Sequence, residues 1–334
     1  MEEMKSRVRY RRENYEPRSV AWMNALRKFN KTKKVYDINP YAEVYQFRDN
    51  VYGILTDNLD GGYCSWMFLV VGPEKAMLID TSWGLGDLKG LADQLSGGRP
   101  LIVVNTHEHM DHAYGNCQFD RVYCHEYCAP YLKMQNPHMR DYIFDENGKG
   151  KWVEFDPEDL NPYREFEVIG CPNHYIFDLG SGYEIELIWL PGHSVGGAGY
   201  LDKKNRILFC GDAMISMRVG IARPKNARPG GPAWLQKSNG KIVERPYGEY
   251  GTVTAFRNEL EKLVRRLDEF DYIFPGHFIL DIESYVVEGM LEACNEIVAD
   301  PSNCSYEAKT NSGITAKYKY VKGMGTICYA DWTV

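Results

Sequence analysis

The chain has 334 residues, 44% hydrophobic and 25% charged, with a formal net charge of −7. That balance belongs to an ordinary globular protein and excludes a disordered or fibrous one, and its sign argues against a dedicated nucleic-acid binder. No apolar run approaches the length of a membrane span, and Met1-Glu2-Glu3-Met4-Lys5 lacks the apolar core of a secretory signal, so a cytoplasmic protein is expected.

Residues 1–34 stand apart. Eleven Lys or Arg against four Glu give them +7 and leave −14 on the rest of the chain. Residues 19–29 carry Trp22, Leu26 and Phe29 at helical spacing, with Ser19 in position to cap. This reads as a basic arm whose short helix packs on the acidic body or on a second copy in a homo-oligomer. The competing reading is an electrostatic tether to nucleic acid or a membrane surface.

From residue 35 a single domain is expected to run to 334. Residues 42–47, 51–55 and 65–71 read as strands of an antiparallel meander, and 85–95 as a helix stopped by Gly97-Gly98. Leu101-Ile102-Val103-Val104 is a short buried strand. An insertion around 120–180 follows. Its middle, 131–163, is rich in aromatic residues, among them Tyr142 and Trp152, and suits a lid or pocket wall. His125, His138 and His174 fall in or beside it without partners at ligand spacing, so structural or surface roles are expected.

Further on, Arg218, Arg223, Lys225 and Arg228 alternate with Gly-Gly-Pro and Trp234. They form either a solvated loop or a basic rim that orients an anionic substrate group. Residues 256–270 are an amphipathic helix with Leu260, Leu263, Val264 and Leu267 on one face, 284–299 a second helix, and 314–329 a closing hairpin. Strands, a helix, then strands again predict an α/β fold: a four-layer αββα sandwich of two mixed β-sheets flanked by helices. The nine cysteines are scattered without a C-x-x-C pair, and Cys124 and Cys128 have no second pair to complete a metal site, so reduced, buried thiols are expected.

The chemistry is concentrated in His107-Glu108-His109-Met110-Asp111-His112, at the carboxyl end of the 101–104 strand. Imidazole and carboxylate are ligands for borderline divalent metals, and chance would produce this spacing on the order of once in several thousand such sequences. Three more apolar runs end in a turn and a candidate ligand: 185–190 before Pro191-Gly192-His193, 207–210 before Gly211-Asp212, and 272–274 before Pro275-Gly276-His277. Five of the eight histidines thus lie just past strand ends.

This series resembles the metallo-β-lactamase superfamily, whose pattern is H-x-H-x-D-H, a distant His, a bridging Asp and a last His. The run 76–79 into Asp80 is similar to the family's strand whose closing Asp supports the metal loop. The resemblance implies that His107, His109 and His193 hold one divalent ion and Asp111, His112 and His277 a second. Asp212 would bridge the two, and Asp80 would orient ligands. Zinc is the first expectation, with manganese and iron as other occupants.

Two adjacent ions provide hydroxide at neutral pH and polarise a carbonyl or phosphoryl oxygen, so hydrolysis is expected, with Asp111 a candidate proton shuttle. Asp212 makes the chain similar to the lactonase, glyoxalase II-type thioesterase and ribonuclease Z-type branches, rather than the class B β-lactamases, which carry Cys there. The aromatic insertion and Arg218, Arg223, Tyr142 and Trp152 suit a small anionic molecule, so a carboxylic ester, lactone or thioester is the expected substrate. The alternatives are a phosphodiesterase of the nuclease-like branch, an iron-dependent oxidoreductase of the same superfamily, and a metal-stabilised binding module without activity.

Overall fold

A computed structural model of the chain describes residues 9–11, 21–62, 64–135, 141–221, 235–238, 241–244, 246–310 and 314–334. Two large sheets carry the fold. The eight-stranded one runs, in spatial order, Glu167–Cys171, Arg121–His125, Leu101–Val104, Ala76–Ile79, Cys64–Val71, Val51–Asp57, Asn39–Arg48 and Lys34–Tyr36. Its pairings are antiparallel from Lys34 to Ile79 and parallel from Ala76 onward. The six-stranded sheet runs Ile176–Asp178, Glu184–Trp189, Ala198–Asp202, Ile207–Gly211, Tyr272–Pro275 and Ile282–Glu283.

Alternation within single strands explains the layering. Along Cys64–Val71, Trp66, Phe68 and Val70 enter the core between the two sheets, with Phe209 and Phe274 opposite, while Met67 and Leu69 face outward. That outer face is covered by the helix Leu88–Ser96, through Leu88, Leu91 and Ala92, and by Ala129 and Leu132. The outer face of the six-stranded sheet packs against Phe256, Leu260 and Leu263 of the helix Val253–Val264 and against the helix Val286–Ala299. A strand buried on both faces must be apolar at consecutive positions, as Cys64–Val71 is. The order helix, sheet, sheet, helix is the predicted one.

Several boundaries differ from the sequence reading. The first covering helix begins at Leu88 rather than 85, because Gly86 has a left-handed φ of 73° and Asp87 accepts a hydrogen bond from Gly90 N at 2.7 Å as the cap. It ends where predicted, with Gly97 left-handed at its C-terminus. The helix predicted at 256–270 spans Val253–Val264, because Thr252 Oγ1 takes the Ala255 N–H at 3.1 Å and starts it earlier. The closing hairpin, Thr315–Val321 with Gly325–Tyr329, is flanked by Tyr306–Lys309 and Arg218–Gly220 in a third, four-stranded sheet.

The helix Ala21–Phe29 lies on the core between the sheets through Met23, Trp22 and Leu26, and Arg27 Nε donates to the buried Glu43 Oε2 at 2.9 Å. Phe29, expected on the buried face, is 69% exposed: the helix stops there, and its ring lies against Lys28 Nζ. Ser19 lies outside the described residues. Of the stretch 120–180, residues 121–125, 167–171 and 176–178 are sheet strands, so the part outside the sheets is 126–166. There Ile143, Val153 and Leu160 share a small core with Tyr41, Leu59 and Trp83. All nine cysteines are free thiols. Among the described residues no helix is long and apolar enough to cross a membrane.

Candidate metal centre

The parallel pairings aim several strand ends at one place. Ala76–Ile79 delivers Asp80, Leu101–Val104 delivers the loop 105–112, Ile207–Gly211 delivers Asp212 and Tyr272–Pro275 delivers His277. Glu184–Trp189 reaches the same end by two antiparallel pairings and delivers His193. Glycine is required where these ends converge. A Cβ on Gly276 would stand 2.7 Å from His112 Cε1 and 2.8 Å from Asp212 Oδ1, and one on Gly211 would stand 2.5 Å from Thr106 Oγ1.

Two donor groups result. Ligand atoms of His107, His109, His193 and Asp212 lie within 4.8 Å of one another, and so do those of Asp111, His112 and His277. Asp212 faces both: its Oδ2 is 3.4 Å from His193 Nε2 and 4.0 Å from His107 Nε2, while its Oδ1 is 3.3 Å from the Nε2 atoms of His112 and His277. Asp111 Oδ2 is 3.3 Å from His277 Nε2 and accepts a hydrogen bond from Asn58 Nδ2 at 3.0 Å.

The outward-facing nitrogens of four of the five imidazoles are occupied. His193 Nδ1 donates to Gly220 O at 2.9 Å, His277 Nδ1 to Cys64 O at 2.7 Å and His112 Nδ1 to Asp80 Oδ2 at 2.9 Å. His107 Nδ1 lies 3.0 Å from Thr106 Oγ1, whose own hydrogen goes to Asp80 Oδ2 at 2.7 Å. These partners assign the Nδ1–H tautomer to all four, leaving the Nε2 lone pairs turned inward. His109 presents Nδ1 instead, 3.1 Å from His193 Nε2.

The donor set fits divalent cations. Lone pairs of His112 and His277 face each other at 3.2 Å, a repulsive contact unless a positive charge lies between them. Two nitrogens bound to one zinc at about 2.0–2.1 Å in tetrahedral geometry are about 3.3 Å apart. Among the described residues, His107 Nε2 and Asp212 Oδ1 are buried without a hydrogen-bond partner, an arrangement that costs roughly 1–3 kcal/mol per group if nothing binds there.

The electrostatics agree. Burial, reinforced by His112, holds the His107 imidazole well below its ordinary range. At His277 burial opposes protonation, but Asp212 and Asp111 overcome it and raise the imidazole to about 10. Burial likewise opposes ionisation of Asp212, yet His277 and His112 keep its carboxyl well below the usual range. The centre keeps its carboxylates ionised and attracts positive charge.

The other predicted site residues are spread more widely. Tyr142 and Trp152 stand in ring contact at 6.0 Å in the 126–166 segment. Arg218 is exposed; Gly220 of the same strand reaches the centre, through its carbonyl. Arg223 and His138 lie outside the described residues. His125 is buried and stacked on Trp189, with ring centroids 5.5 Å apart, and His174 pairs with Glu186 at 2.7 Å. Neither joins a donor group among the described residues. Sequence reasoning missed Asn58 and Thr106, which orient Asp111 and His107. Thr106, just before the histidine run, could have been found from its position; nothing local marks Asn58.

Fold and site together define a metal-dependent hydrolase. The sequence profile of the Metallo-beta-lactamase superfamily matches residues 59–277, and the chain belongs to that superfamily. It is 26% identical to the acyl-coenzyme A thioesterase MBLAC2 of Homo sapiens over 249 residues, covering 69% of this chain and 78% of that one. The Bos taurus MBLAC2 is 26% identical over 250 residues with the same coverage. Among solved structures, the crystal structure of VMB-1 at pH 5.5 aligns with a TM-score of 0.50 and 16% identity, covering 77% of this chain and 98% of that chain. That likeness is one of fold.

Proposed function

We propose that the chain is a dinuclear metal-dependent thioesterase that cleaves an acyl thioester of a small, anionic molecule. The observation that carries this reading is Asp212, whose two carboxylate oxygens are turned to two different sets of imidazoles. That arrangement suits a ligand that two ions would share. The similarity to acyl-coenzyme A thioesterases favours the thioester over the lactone or carboxylic ester.

When bound, a pair of divalent ions, zinc first, supplies hydroxide at neutral pH and polarises the acyl carbonyl. The chain's own residues do the rest. His107, His109 and His193 would hold one ion, Asp111, His112 and His277 the other, with Asp212 shared. Asp80, Thr106, Gly220 O and Cys64 O keep His112, His107, His193 and His277 in the tautomer that offers its lone pair inward. Asp111, at 21% exposure the most open carboxylate of the centre, is placed to take a proton from the attacking water and hand it to the departing thiolate.

The test is a hydrolysis panel on protein reconstituted with zinc or manganese, comparing thioesters, lactones, carboxylic esters, phosphodiesters and a cephalosporin. Thioester turnover, lost in Asp212→Ala, supports the proposal. Phosphodiester turnover alone would move the chain to the nuclease-like branch, and silence across the panel would direct attention to iron and redox chemistry.

A further inference from the structure

The loops that carry His109 and His193 are tied to each other beside the first donor group. Glu108 stands between His107 and His109, and Ser194 directly follows His193. The Ser194 hydroxyl, on a residue only 3% exposed, donates to Glu108 Oε2 at 2.5 Å, and the Cys128 thiol reaches the same oxygen at 4.0 Å. Gln135 Nε2 donates to the Glu108 carbonyl at 3.1 Å, so the backbone beneath the carboxylate is held as well. Ser194 lines the same small cavity as His107, His193 and Asp212. Its loop is packed from behind: a Cβ on Gly196 would stand 2.1 Å from Cys128 N.

This tie joins the chain neighbours of two ligands. His109 Nδ1 and His193 Nε2 face each other at 3.1 Å, a spacing set by where the two loops lie. With Oε2 held by Ser194, the other oxygen of Glu108 is turned to His109, Oε1 lying 3.9 Å from Nε2. That is longer than a hydrogen bond, but the carboxylate is only 12% exposed, and attraction over such a distance strengthens away from water. A neutral imidazole carries one hydrogen. A negative charge beside Nε2 favours the hydrogen there and leaves the Nδ1 lone pair for a cation. The other four imidazoles carry theirs on Nδ1, so His109 is the exception, and Glu108 lies on the side that makes it one.

We propose that Glu108 is a positioning residue for the first ion: tied to Ser194, it sets the spacing of His109 and His193 and holds the His109 hydrogen on Nε2, so that Nδ1 serves the metal. This rests on the dinuclear reading of the centre above and is independent of the bond cleaved.

The experiment uses the full chain with isotopically labelled histidine nitrogens, loaded with zinc, because nitrogen resonances distinguish a zinc-bound ring nitrogen from one that carries hydrogen. Of the five ligand imidazoles, one should show zinc at Nδ1 and four at Nε2. Glu108→Met removes both carboxylate oxygens at similar side-chain length. It should displace that one signal, leave the other four, and weaken one of the two zinc ions by about 10- to 100-fold in competition against a chelator. Ser194→Ala unties the carboxylate without removing it; it should act on the same signal and the same ion, and it carries the test if Glu108→Met does not fold. Five Nε2-bound imidazoles in the wild type, or unchanged affinity for both ions in the variants, overturns the inference and leaves the metal centre standing. A wild type that takes up only one zinc ion removes the dinuclear reading, and this inference falls with it.

Discussion

Asp80 grips Thr106 twice, Oδ1 accepting the backbone N–H and Oδ2 the hydroxyl, both at 2.7 Å. Oδ2 also accepts from His112 Nδ1 at 2.9 Å, so one oxygen orients an imidazole in each donor group, His107 through Thr106 and His112 directly. Asp80 does this from a left-handed backbone, φ 63°, which a non-glycine residue adopts only where its surroundings over-determine it. Asp80→Asn replaces one acceptor oxygen with a donor and leaves a buried hydrogen unpaired. It should cost about 1–3 kcal/mol of stability and weaken metal affinity roughly 10- to 100-fold. Denaturant titration and competition against a chelator measure the two effects.

Asp212→Ala should abolish turnover and reduce metal content together, because the carboxylate is shared between both groups. Metal analysis after gel filtration reads the second effect without reference to activity. Full occupancy of both sites in an inactive variant would remove the bridging role.

Chelation should lower the melting temperature by several degrees and zinc should restore it. Ligands bound only by the folded state stabilise by about 2.7 kcal/mol at a hundredfold excess over Kd. Here the gain also comes from pairing the buried His107 Nε2 and Asp212 Oδ1. Calorimetry with and without chelator checks it, and an unchanged transition would contradict a built metal site.

His125 supplies a pH dependence away from the centre. Its Nδ1 accepts the Tyr127 N–H at 3.2 Å, and burial holds its imidazole down at about 4. The unfolded chain, with histidine near 6.5, then binds the extra proton between these values. Stability should fall as pH drops from about 6.5 to about 4, by on the order of 3 kcal/mol, and level off below that. His125→Phe keeps an aromatic ring against Trp189 and should flatten this part of the profile, at a baseline cost of about 1 kcal/mol for the orphaned Tyr127 N–H. The difference between the two proteins' unfolding curves across that window isolates the histidine.

The sequence by itself determined what local pattern can carry. Alternation and apolar runs marked the strands, capping residues and leucine spacing the helices, and a turn after each apolar run the residues that gather at the centre: His107, His109, Asp111, His112, His193, Asp212 and His277. Each stands next to the strand that delivers it, so its place could be read nearby. The tertiary structure alone decided which atom each residue presents, because the deciding partners are remote. Cys64 O fixes the His277 tautomer, Gly220 O that of His193, and Asn58 orients Asp111. The same holds for the turn of Phe29 to solvent. A hydrogen bond between distant segments depends on how the sheets stack and where the loops close, and no periodicity within either segment encodes that.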